Sequence, residues 1–140
     1  MSLDPPPYVP NEFLGRLVGA RLVSVEFVQD YAQLRFEGPG EDMPVLTCDA
    51  MPTVEAVGGQ VLSDGDLGYA DALRALIPNL VLNTHEATGT GLRIEFPNAA
   101  IALHPDRDAL TGPEIAVLTG FEDQAWMCWR PGEESFEDLA

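Results

Sequence analysis

His104 ends an apolar run and is followed by Asp106 and Asp108, so one imidazole and two carboxylates fall within five positions. That is a mixed nitrogen and oxygen donor set of the kind that holds zinc or manganese. In a chain with 23 Asp and Glu residues the same triplet also arises by chance, and a solvated loop is the competing reading. The other histidine, His85, takes the polar phase of a strand beside Glu86, which leaves few ways to build any histidine mechanism. The serines are Ser2, Ser24, Ser63 and Ser135, and none sits in a Gly-x-Ser-x-Gly elbow. A Cys–His dyad would have to draw on Cys48 or Cys128, and the inward phase of Cys48 argues against a reactive thiolate. Ser63-Asp64-Gly65-Asp66 resembles the start of a calcium loop, but Tyr69 stands at its sixth place and Ala75 at its twelfth, where glycine and glutamate are needed. That stretch reads as a connector and helix cap. No catalytic residue and no cofactor emerges.

Recognition chemistry is better represented. Trp126-Met127-Cys128-Trp129-Arg130 carries the residue types that anchor interfaces, so Trp126, Trp129 and Arg130 are the candidate interaction residues. Alternation puts Trp126 and Cys128 on one face and Met127 and Trp129 on the other. One tryptophan can serve the core. The other needs cover from the C-terminal segment, a second subunit or a partner.

Charge narrows the function classes. Against the 23 acidic residues stand 7 basic ones, all arginine, for a net charge of −16. With no lysine, Schiff-base chemistry and a phosphate-loop lysine are excluded, and nucleic acid is a poor partner for so negative a chain. Such a field favours solubility and steers a basic partner toward the surface. No apolar run approaches the roughly 18 residues of a membrane span, and the opening stretch lacks a signal region, so a cytoplasmic protein without a membrane partner is expected. Two cysteines do not make a disulfide framework. Reduced thiols are the expectation, with a Cys48–Cys128 bridge as the alternative.

The elements that must position these residues run in a repeating order. Leu34-Arg35-Phe36-Glu37 returns as Leu92-Arg93-Ile94-Glu95, and similar segments flank both copies. Before each lies a short helix, with Leu14, Leu17 and Val18 on its apolar face in the first, capped by Asn11 and stopped by Gly19, and Leu73, Leu76 and Ile77 in the second, stopped by Pro78. Each helix leads into three strands. Val23, Val25 and Phe27 point inward in one, Leu80, Leu82 and Thr84 in its counterpart, and the third strands bury Leu46, Cys48 and Ala50 or Ile101 and Leu103.

These patterns predict one α+β domain over residues 1–140. It comprises an arm (1–10), a first αβββ unit (11–52), a connector (53–68), a second αβββ unit (69–105), and a C-terminal hairpin with an acidic tail (106–140). The six meander strands are expected to form a bent antiparallel sheet or partly closed barrel, extended or covered by the hairpin. By charge and size alone, the expected function is a non-catalytic interaction module, a homodimer or the binder of a basic protein, as immunity proteins and inhibitors are. The alternative is a small-molecule or metal-binding protein, conceivably an enzyme, with a site between the units that draws on His85, His104, Asp106 and Asp108.

Overall fold

Short alternating apolar runs, cut by glycine, proline and Asx turns, leave little room for helix and much for antiparallel strands. The computed structural model describes residues 8–56, 58–110 and 112–139. The expected arm, with Pro5-Pro6-Pro7, lies outside them up to residue 7. Among the described residues the fold is mostly β, with two antiparallel five-stranded sheets and few helical turns.

The first sheet contains β1 (Arg21–Val28), β2 (Tyr31–Glu37), β3 (Val45–Cys48), β9 (Ala116–Thr119) and β10 (Met127–Trp129), in that order across it. The second holds β4 (Thr53–Glu55), β5 (Val61–Leu62), β6 (Asn83–Ala87), β7 (Gly91–Phe96) and β8 (Ala99–Leu103), ordered β5-β4-β8-β7-β6. Each three-strand meander therefore neighbours a hairpin drawn from the other half of the chain. The inner faces share one core, in which Leu34, Phe36, Leu46 and Cys48 of the first sheet meet the same cluster as Val54, Leu92, Ile94 and Ile101 of the second.

The sheets do not close into the expected barrel. The chain leaves β3 through Met51-Pro52 and leaves β8 toward β9 through His104-Pro105, and each departure carries it into the opposite sheet. Proline has no N–H for a ladder, so pairing with the old neighbour ends at both points. The expected connector is likewise structured, since residues 53–68 contain β4 and β5. At one edge the segment 79–82 stitches the sheets together. Val81 exchanges backbone hydrogen bonds with Gly19 and Ala20, while the Leu82 N–H donates to the Glu95 carbonyl. This double duty reverses the expected phase. Val81 is buried, whereas Leu80 and Leu82 are exposed.

The helices are shorter than their apolar spacing suggests. The first is a 3₁₀ turn, Leu14–Leu17, which buries those two leucines and leaves Val18 exposed. Asn11 does not cap it. The Asn11 side chain instead accepts a hydrogen bond from the Thr84 hydroxyl at 2.8 Å. The second, α1 (Tyr69–Arg74), buries Tyr69 and Leu73, and Leu76 beyond it completes that face. No helix among the described residues is long and apolar enough to cross a membrane.

Cys48 and Cys128 are both free and lie in opposite phase, Cys48 inward and Cys128 outward. Burial pushes the Cys48 thiol up to about 12 from its ordinary 9.0. Burial also raises the Tyr69 phenol, whose hydroxyl donates to the Pro52 carbonyl at 2.6 Å. Above pH 9.0 the unfolded Cys48 thiol ionises while the folded one keeps its proton, so the unfolded state binds fewer protons and stability falls as pH rises toward about 12. Thermal unfolding followed by circular dichroism from pH 8 to 11 is expected to show this fall, and Cys48→Ala to make it shallower.

Candidate functional site

Met51 of one crossover and His104 and Pro105 of the other line a common groove of about 460 Å³. That volume falls in the range of small-ligand clefts, about 300–1,000 Å³. Thr53 and Ala102, opposite each other in the β4–β8 ladder, form part of its wall. Asp30 enters from the β1–β2 turn, Asp64 from the turn before α1, and Asp106 from the loop after β8. No arginine is among the described lining residues. Arg107 is the nearest in sequence, and its Nε–H donates to the Leu139 carbonyl at 3.0 Å. Three carboxylates among the lining residues give the cleft a negative field.

Of the expected metal donors, His104 and Asp106 line this groove and Asp108 does not. His104 Nε2 contacts Asp138 Oδ2 at 2.9 Å, and its ring stacks on Phe136 at a centroid distance of 6.4 Å. Gly91 permits this packing: its φ is +72°, and a side chain there would collide with the Leu103 carbonyl and the His104 ring. Among the described residues no three His, Cys, Asp or Glu side chains converge to hold a metal ion. The metal triplet is therefore not assembled. His85 is not among the groove's lining residues and sits on the outer face of the second sheet, with Nε2 2.7 Å from Glu95 Oε1. On the same face Arg93 joins Glu55 and Glu95, and hydrogen bonding to Glu55 is the main cause that raises its pKa.

The tryptophans divide. Trp129 is fully buried and cannot be a surface anchor, which corrects its place among the interaction residues. Trp126 is 62% exposed and Arg130 is exposed. Cys128 shares the outward phase of Trp126, and its thiol donates to Glu114 Oε2 at 2.8 Å. Desolvation, reinforced by that carboxylate, pushes this thiol up to about 11, so it stays protonated and unreactive near neutral pH.

Sequence reasoning missed the most deeply set charged group. Glu86 is 7% exposed and has no basic partner within ion-pair distance among the described residues. Its Oε1 accepts the Asn11 backbone N–H at 2.9 Å, and its Oε2 accepts both the Trp129 indole N–H and the Ser135 hydroxyl at 2.9 Å. Because Ser135 donates inward, Tyr8 supplies the proton of the 2.9 Å Tyr8–Ser135 contact. The signal for this site was the strand phase: a core-facing Thr84 makes Glu86, two residues on, core-facing too. The network holds the C-terminal turn in place, and Asp138 of that turn reaches the groove's histidine.

Against protein-family models, curated proteins and solved structures, the chain has no match.

Glu86→Leu removes the acceptor of three buried or half-buried donors, and urea unfolding is expected to show a loss of roughly 2–4 kcal/mol. Glu95→Gln, on the exposed face, should stay within about 1 kcal/mol of the parent protein.

Proposed function

We propose that this chain is a non-catalytic binding module that takes a basic segment of a partner protein into the groove between its crossovers. The carrying observation is the lining itself, which includes Asp30, Asp64 and Asp106 and no arginine among its described residues. The net charge of −16 adds a long-range field that draws a cationic partner in before contact. Met51, Ala102 and Ala109 offer apolar surface for the methylene stem of an arginine or lysine, whose charged head meets the carboxylates. A small organic cation is the second reading, favoured by the groove's ligand-sized volume.

In the same proposal the module descends from a duplicated helix, meander and hairpin unit. The support is the strand order, in which β1-β2-β3 is flanked by the later hairpin and β6-β7-β8 by the earlier one. The groove then lies where the two units exchange hairpins. Two free thiols support a cytoplasmic setting for it.

Calorimetric titration with a hexa-arginine peptide tests the binding claim, and spermidine tests the second reading. Saturable binding that weakens as salt rises from about 0.05 to 0.5 M is expected. The triple substitution Asp30→Asn, Asp64→Asn, Asp106→Asn should reduce affinity about tenfold, the combined effect of three partly exposed ion pairs. Affinity unchanged in the triple variant, or no binding by the parent protein, overturns the assignment.

A further inference from the structure

The turn that carries Asp64 is closed by two hydrogen bonds. The Asp66 N–H donates to the Ser63 carbonyl at 2.9 Å, and the Ser63 N–H donates to Asp66 Oδ2 at 2.8 Å. Gly65 takes the third place of this turn at φ +95°, a conformation that side chains strongly disfavour, so the turn itself demands glycine directly after Asp64. This is the one Asp-Gly pair in the chain, and no Asn-Gly pair occurs. Residues 63–68 are all exposed. Asp64 has no hydrogen-bond or ion-pair partner among the described residues, and the Gly65 N–H donates to no backbone carbonyl among them. A Cβ built on Gly65 would meet nothing within 4 Å, so open space surrounds the amide that follows Asp64. Asp66 differs on both counts, since its carboxylate is engaged and the bulkier Leu67 follows it.

From these observations we infer that Asp64-Gly65 is a self-modification site, which closes to a succinimide and reopens as isoaspartate. In the closing step the Gly65 backbone nitrogen attacks Asp64 Cγ. The new N–Cγ bond replaces a Cγ–O bond, and the oxygen leaves as water with the amide proton and the proton of the carboxylic acid form. Nucleophile and carbonyl belong to adjacent residues, so the reaction is intramolecular and needs only local rotation, which an unpartnered side chain and a glycine leave free. In the reopening step solvent water adds to one of the two ring carbonyls. Attack at Cγ restores aspartate, while attack at the main-chain carbonyl leaves Gly65 joined through Cγ. One water departs and one enters, with no change of oxidation state. The product has an extra methylene in the backbone of the turn, and its carboxylate sits directly on Cα. That shorter stem withdraws the negative charge of Asp64 from the groove it lines. The chain thus carries a slow chemical clock on one wall of its groove.

The test is to hold the full chain in neutral buffer at physiological temperature for several weeks. Samples are then assayed with an isoaspartyl carboxyl methyltransferase and labelled S-adenosylmethionine. Methyl-accepting groups are expected to accumulate, and peptide mapping by mass spectrometry should place them at Asp64. Asp64→Glu keeps the carboxylate but would have to close a larger, less favourable ring, and should cut the accumulation about tenfold or more. No methyl acceptance, acceptance mapped to another residue, or acceptance as fast in Asp64→Glu as in the parent overturns the inference. A second arm rests on the groove reading, which the methyl assay does not need. The aged, methyl-accepting chain should bind hexa-arginine about twofold more weakly than fresh chain, one carboxylate's share of the three. Equal affinity there overturns the withdrawal of Asp64 from the groove.

Discussion

A buried carboxylate that meets no cation among the described residues must find its compensation in hydrogen bonds, and Glu86 finds it in three donors from three distant parts of the chain. Asn11 brings the segment before the first helical turn, Trp129 brings β10, and Ser135 brings the C-terminal turn, while Glu86 itself sits on β6. The order of contacts follows from this requirement. With Trp129 tied to β6, the edge of the first sheet is brought to the second, and Phe136 packs beneath it as part of the same core. The C-terminal turn is then close enough for Asp138 to meet His104. A partly satisfied network of this kind would cost more than an apolar substitute, which makes the four segments interdependent.

Local pattern revealed the strands more faithfully than their neighbours. Leu46, Cys48 and Ala50, and Ile101 with Leu103, are buried as alternation predicts; Leu46, Cys48 and Ile101 lie in ladders paired on both sides. The bent or closed sheet was not what formed, since the partners of β3 and β8 are separated from them by long stretches of chain. A strand carries no local record of which distant edge it will meet. β4 and β5, with three and two residues, are too short to show a period at all. Leu80 and Leu82 misled because their segment pairs with two sheets in succession instead of lying inside one.

The candidate site was partly visible. His104 and Asp106 stand out in the sequence for metal chemistry, yet the groove they line also draws on Asp30 and Asp64, which sequence distance separates from them. Asp64 has the sequence context of a turn residue, and the turn is what carries it to the groove. Trp126 and Trp129 show the reverse situation, in which two positions of one short motif serve opposite surfaces. Their alternation was legible, but which face turned inward depended on the distant Glu86.

The pairing of β3 with the distant β9 leaves an interval during synthesis. When the ribosome has released β1, β2 and β3, the free edge of β3 has no neighbour until β9 emerges about 70 residues later, several seconds at ordinary elongation rates. For that interval a strand with the sequence Val45-Leu46-Thr47-Cys48 presents unsatisfied backbone groups to anything nearby, a known invitation to intermolecular pairing. Acidic loops on either side of it, at residues 37–42 and at Asp49, surround that edge with like charge, so nascent chains repel one another while the missing strand is still being made.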